Sequence, residues 1–186
     1  KNGVRYFLTG GNFALECILQ RGNTHNPMDL INLRDINRRF GTTKLNKLKF
    51  VSSYQKYLMM KTKQVVTLRP LNLIDYNRER AFQELRDFCG FEYYGAKHLE
   101  NVLTAFIQLH WLPNKFGVDK RTSHLSSMIV SGQMTREEAL AELDKPLYNE
   151  ELMASYLQQI RQRLHLSEEA FDAIMAAPAH QHTDYR

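Results

Sequence analysis

The chain has 186 residues, 43% of them hydrophobic and 24% charged, enough for one ordinary domain or one and a half small ones and unlike a disordered or fibrous polypeptide. A net charge of +5 and a pI near 9.2 suit a phosphate-rich partner, whether a nucleic acid, a nucleotide or a sugar nucleotide. No run approaches 18 apolar residues, so no spanning helix and no membrane partner is expected, and Cys17 and Cys89 stand far apart without a CxxC, which argues against a zinc ribbon or a disulfide scaffold.

The opening KNGVRYFLTGG shows no secretory leader, so a cytoplasmic protein with reduced thiols is expected. Residues 4–8, VRYFL, predict a short buried strand. They run through Thr9-Gly10-Gly11-Asn12 into FALECIL, an apolar segment of helical length. Strand, glycine turn and helix is the grammar of a nucleotide-binding α/β unit. The stretch 21–50 is polar and broken by Gly22, Pro27 and Gly41, yet DLINLRDINRRFG predicts a helix closed by Gly41 as its C′ residue. VVTL at 65–68 predicts a second strand, ended by Arg69-Pro70-Leu71 because proline cannot donate to a ladder. In IDYNRERAFQELRDFCG, Ala81, Phe82, Leu85 and Phe88 share one helical face, and Gly90 closes the helix.

From there the pattern is helical throughout. Leu99, Val102, Leu103, Phe106 and Leu109 form an apolar stripe opposite Lys97, Glu100, Asn101, Thr104 and Gln108, and Pro113 is expected to end that helix. Thr135-Arg136-Glu137-Glu138 is a capping box for a short helix ending near Leu143. Leu152, Met153, Tyr156, Leu157, Ile160 and Leu164 mark another helix, Ser167 caps a last one, and the tail AHQHTDYR reads as frayed. The change near residue 90 divides the chain into a nucleotide-binding α/β part over 1–90 and a helical substrate-binding or interaction region over 91–186.

Three constellations carry potential chemistry, each beside a plain structural reading. Gly10, Gly11 and Asn12 would let a ligand approach the backbone at a helix start, or simply make a tight turn. Arg69, at a strand end, would contact phosphate, or pair with a surface carboxylate. The richest is EYYGAKHLENVLTAFIQ at 92–108 with KFGVDKRTSHLS at 115–126. It offers Lys97, His98, Glu100, Lys115, Asp119, Lys120, Arg121 and His124, a mix suited to the diphosphate, hydroxyls and rings of a sugar nucleotide, or to a solvated helix face. Tyr93-Tyr94 and His110-Trp111 read as core edge, and His165, His180 and His182 lack metal-ligand spacing, so no protein-bound metal is expected.

KFGVDKRTSHLSSMIVSGQMTREEALAELDKP and the upstream YGAKHLENVLTAFIQ closely resemble a signature of the N-acetyl sugar amidotransferases of lipopolysaccharide and O-antigen biosynthesis. LTGGNFALE and VVTLRPL look like that family's glycine loop and a later strand. The resemblance covers roughly residues 5–150, and 92–146 is its specific part. It implies a partial Rossmann-like, adenine nucleotide α-hydrolase-like fold of the PP-loop ATP pyrophosphatases. The family's pyrophosphate loop, Ser-Gly-Gly-x-Asp-Ser, is absent from these residues, so a carboxyl-terminal fragment that binds more readily than it turns over is expected. Val102 and Ala105 also depart from basic positions in the pattern.

The resemblance further implies conversion of an acetamido group on a nucleotide-linked sugar to an acetamidino group, with ATP and Mg2+ as cofactors. Ammonia would come from a separate glutaminase working with a cyclase-like subunit. On that reading Gly10, Gly11, Asn12 and Arg69 serve the nucleotide, Lys97, Glu100, Lys120 and Arg121 the sugar nucleotide, and His98 and His124 proton transfer. Two other readings compete. Arg38-Arg39 and KLNKLK suggest an RNA-binding or tRNA-modifying relative, although interspersed Asp and Glu argue against a nucleic-acid partner. Helices over 135–176 suggest a docking module for a glutaminase.

Overall fold

A computed structural model describes residues 3–20, 25, 29–45, 48, 50–63, 65–93 and 101–186. It is mostly helical, with one two-stranded parallel sheet among these residues. The chain divides into two units, one of Lys1–Gly11, Gln20–Leu73 and His180–Arg186, the other of Asn12–Leu19 and Ile74–Ala179.

In the first unit β1 (Tyr6–Leu8) pairs with β2 (Val66–Leu68) in register, Leu8 opposite Leu68. The pairing continues past the strands, where the Thr9 N–H donates to the Leu68 carbonyl at 3.0 Å. The expected burial of the first strand is overturned: Tyr6 is 65% and Leu8 74% exposed. Each strand of a two-stranded sheet is an edge, and parallel strands are dry only where layers cover both faces.

A helix α2 (Leu30–Phe40) begins at Asp29, whose carboxylate accepts from the N–H groups of Ile31 and Asn32. Gly41 does end it, but with extended backbone (φ −74°, ψ 133°), not in the left-handed C′ conformation. Glycine is required there because a Cβ would collide with the carbonyl and side chain of Asn37. Helix α3 (Ser53–Lys63) is an element that the hydrophobic pattern did not predict.

The tail is not frayed. Residues His182–Asp184 form a 3₁₀ turn that docks on α2. Asn32, 7% exposed, donates its amide to the carbonyls of His182 (2.9 Å) and Tyr185 (3.2 Å). Asp29 pairs with His182 Nε2 at 3.0 Å, and the Arg186 N–H donates to Asp35 at 2.9 Å. Tyr185 is met edge-on by Phe40 and faced by the Arg39 guanidinium. The inner face of α2 is thus polar, which is why the apolar pattern marks the helix but not the tail that docks on it.

The second unit holds α1 (Phe13–Glu16), α4 (Arg78–Cys89), α5 (Val102–Ala105), α6 (Leu112–Phe116), α7 (Arg121–Val130), α8 (Arg136–Asp144), α9 (Glu150–Leu164) and α10 (Glu168–Ala176). Its core is Phe106, Ile160 and Phe171, packed by Val102, Trp111, Leu157, Leu166 and Met175. The caps read from sequence are present: Thr135 and Glu138 form the reciprocal box of α8, Ser167 caps α10, and Gly90 closes α4 at φ 69°. The outer half of the α4 face is open, however, with Phe88 88% exposed, and Leu103 of the next stripe is exposed as well.

Pro113 does not end its helix. Between α5 and α6 the chain widens into a π-helical stretch, Phe106–Trp111, and the Leu112 N–H reaches back five residues to Ile107. The wider turn accommodates a residue that has no N–H and whose ring would strike the carbonyl four residues earlier. Termination waits for Gly117, left-handed at φ 64°.

His165 closes α9 with φ 54°, the only positive φ outside glycine among the described residues. A left-handed L-residue costs about 1–2 kcal/mol, while glycine gives back about 0.4–1 kcal/mol through the unfolded chain. His165→Gly is therefore expected to stabilise the protein by about 0.5–1 kcal/mol net, seen as a raised Tm. An unchanged or lowered Tm would show that the imidazole contributes something the backbone does not reveal.

Candidate functional site

The KFGVDKRTSHLS segment and the residues that follow it, to Ser131, place three groups of side chains against the carboxyl ends of other helices. Lys115, just before Gly117, turns its ammonium onto the last carbonyls of α10: Ile174 at 2.6 Å, Met175 at 3.1 Å, and Ala177. Arg121 forks onto Asp119, with Nη2 and Nε 2.8 and 3.0 Å from Oδ2. The same guanidinium donates to the carbonyls of Glu142 (3.0 Å), Leu143 (3.2 Å) and Lys145 (3.0 Å) at the end of α8. These are the orphan acceptors that every helix leaves at its C-terminus, and a cation there also opposes the helix dipole.

The third group explains why α1 is a single turn although FALECIL predicts a longer helix. Its next hydrogen bond would join the Ile18 N–H to the Ala14 carbonyl. Helix α7 intercepts both partners: Ser127 Oγ accepts from Ile18 at 3.0 Å, and Ser131 Oγ donates to Ala14 at 2.9 Å. His124 Nδ1 takes the Leu15 carbonyl at 3.3 Å. His124, Ser127 and Ser131 recur at helical spacing on one face of α7, and Ser127 is fully buried. A carbonyl partner puts the imidazole proton of His124 on Nδ1.

Lys120 stands apart from this architecture. It occupies the start of α7 with no side-chain capping bond, and its ammonium has no partner among the described residues. The capping role passes to Asp119, which accepts from the Arg121 N–H at 2.8 Å. A lysine at the positive end of a helix is unfavourable in itself, and its ammonium suits an anion.

The glycine-turn residues fall in two places. Thr9, Gly10 and Gly11 follow β1, and Arg69, exposed, follows β2. Because the strands are parallel and in register, these residues share the carboxyl edge of the sheet, where ligands bind in α/β proteins. A Cβ on Gly10 would meet nothing within 4 Å, so the turn has open space in front of it. Asn12, 8% exposed, caps α1 by accepting from the Leu15 N–H at 2.9 Å. Lys97, His98 and Glu100 lie outside the described residues.

Two residues that carry no sequence motif, Arg78 and Asp35, and His110, read from sequence as core edge, have distinctive surroundings. Arg78, its side chain 19% exposed, lies against the rings of Phe82 and Tyr93 and donates to the Tyr93 hydroxyl at 3.1 Å. His110 sits in the π-helical stretch with a buried Nδ1 that has no hydrogen-bond partner among the described residues; burial pushes its pKa down, and Glu150 pulls the other way. Asp35, 3% exposed, gathers arginines on α2. Burial works to raise its carboxyl, but hydrogen bonds from Arg38, Arg186 and Arg39 outweigh that and hold it below the ordinary value. Among the described residues no group of His, Cys, Asp and Glu could hold a metal ion, and no helix is long and apolar enough to cross a membrane.

Residues 100–186, just under half of the chain, match a family model described as the C-terminal domain of WbpG-like lipopolysaccharide biosynthesis proteins. The carboxyl-terminal region is therefore similar to a lipopolysaccharide-biosynthesis domain, which supports the sequence resemblance at that level. No curated protein and no solved structure matches the chain.

Proposed function

We propose that the chain is the acceptor-side part of an ATP-dependent amidotransferase that converts the acetamido group of a nucleotide-linked sugar to an acetamidino group. Lipopolysaccharide or surface-polysaccharide synthesis is the setting that the match over residues 100–186 supports. One observation carries the site: beside Lys115 and Arg121, whose cations take helix-end carbonyls, Lys120 is left at the start of α7 with no partner among the described residues. Lys120 would hold the diphosphate of the sugar nucleotide, and His124 would assist proton transfer. Arg121 would support Lys120 by fixing the loop; by resemblance alone, Lys97 and Glu100 remain assigned to the sugar side and His98 to proton transfer.

The nucleotide would lie at the carboxyl edge of the parallel pair, where Gly10 leaves open space and Gly11 and Arg69 stand on adjacent strand ends. ATP supplies activation of the amide oxygen as a leaving group, because ammonia does not displace an unactivated amide oxygen. The residues present fit a phosphate-bearing ligand at that edge, but no carboxylate cluster among the described residues fits Mg2+, so no residue is assigned to it. The reading requires a pyrophosphate loop that these residues do not contain and completes a partial Rossmann-like sheet with further strands. Ammonia from a glutaminase and a cyclase-like partner belongs to the same proposal.

Calorimetric titration of the chain with a nucleotide-linked acetamido sugar tests the site. Lys120→Ala is expected to weaken binding about tenfold or more, the worth of a hydrogen bond to a charged group, with the unfolding curve unchanged. Equal affinity for both proteins would remove Lys120 from the substrate site.

A further inference from the structure

The clasp between α2 and the tail, within the first unit, holds a feature that the proposed reaction leaves unused. Ile31, Arg34, Asp35, Arg38 and Arg186 line a shallow concavity of about 260 Å³. Asp35 organises it from below. Its oxygens take Arg38, Arg39 at 2.7 Å and the Arg186 N–H at 2.9 Å. One side-chain carboxylate therefore stands among the four arginines 34, 38, 39 and 186, and the guanidinium groups of Arg34 and Arg186 have no partner among the described residues.

Ordinary surface roles account for only part of this cluster. Arg38 and Arg39 lie in the last turn of α2, where cations offset the helix dipole. Arg34 lies a turn earlier, on the same face as Arg38, and like charges at that spacing repel. Arg186 is brought to the concavity only because the tail is clasped to α2 by Asn32, Asp29 and Asp35. Planar guanidinium forks that line a concave surface match phosphate oxygens. Pockets for whole drug-sized ligands run about 300–1,000 Å³, so this one has room for a charged group and leaves the rest of a ligand in solvent. RNA would favour an extended basic stripe over a compact cluster built on one carboxylate.

We infer that the concavity binds the diphosphate group of a nucleotide-class anion, and that binding holds the tail on α2. This goes beyond the proposed function, which places its anion contacts on Lys120 and at the carboxyl edge of the sheet. It also gives the tail a purpose: Arg186 completes the site, so occupancy and docking stabilise one another by linkage.

The test is titration of the whole chain with inorganic pyrophosphate and, separately, with a nucleoside diphosphate. Hydrogen exchange over residues 181–186 would be followed in parallel. Both anions are expected to bind, the nucleoside diphosphate at least as tightly, and to slow exchange in the tail. Arg34→Ala and Arg186→Ala should each weaken binding about tenfold or more and abolish that protection, while Lys120→Ala should leave both intact. Arg34→Lys, which keeps the charge but not the fork, should recover only part of the affinity. Absence of pyrophosphate binding, or equal binding by Arg34→Ala, would overturn the inference. So would pyrophosphate binding that excludes the nucleoside diphosphate, or a single-stranded RNA that binds a hundredfold more tightly and is lost in the same variants. None of those results bears on Lys120, so this inference and the proposed function can fail separately.

Discussion

Arg121→Ala is expected to destabilise the second unit by about 1.5–3 kcal/mol, the range for hydrogen bonds to a charged group. The guanidinium bonds Asp119 through two nitrogens and three carbonyls at the end of α8. Its removal strands those acceptors and leaves Asp119 without its cation. Arg121→Lys should recover little, because one ammonium cannot fork onto Asp119 and reach α8 at once. Lys120→Ala, one residue away, should change stability by no more than about 0.5 kcal/mol. Denaturant unfolding of the three variants decides the matter. A mild Arg121→Ala would mean that the guanidinium is free for a ligand after all, and a severe Lys120→Ala would move Lys120 into the architecture.

Phe106→Ala is expected to cost about 3–5 kcal/mol, the usual penalty for removing a buried aromatic ring. The ring is 5% exposed and packs with Ile160 and Phe171, its centroid 6.0 Å from those of Phe171 and Trp111. It also begins the π-helical stretch, so the cavity would open where the backbone already departs from α geometry. Trp111 is the single tryptophan and lies beside the lost ring, so its fluorescence reports the transition directly. A loss below about 1 kcal/mol would show that the site collapses onto the gap.

Elements announced by residues within one turn of each other were legible in the sequence. Thr135 with Glu138, Ser167 with the Ala170 N–H, and Gly90 with Arg86 are local pairs, and the helices they bound lie where expected. The start of α3 carried the same kind of signal: Ser52 and Gln55 cap one another. The apolar pattern does not mark the helix because Tyr54, Tyr57, Leu58, Met59 and Met60 form no single apolar face, and all five are exposed.

Partners distant in sequence were not legible. Arg121 reaches carbonyls 21 to 24 residues on, Lys115 reaches 59 to 62 residues on, and Asn32 meets the tail 150 residues away. The motif that marks the family by resemblance is, in the described structure, largely a set of helix terminators. That role could not be separated from ligand binding by residue type, because a carbonyl end and a phosphate both recruit lysine and arginine. The π-helical stretch was hidden for a different reason: Pro113 in a helical pattern ordinarily signals a stop, and only the wider turn upstream lets the helix pass through it.

The interception of α1 by α7 also has a consequence for synthesis. Ser127 stands 109 residues after Ile18, and Ser131 stands 117 after Ala14. At about 5–20 residues per second a ribosome makes the apolar segment roughly 5–20 s before the groups that cut it short. During that interval nothing yet translated offers those serine partners. The one-turn form of α1 is therefore a late product of the nascent chain, set only once α7 has been made.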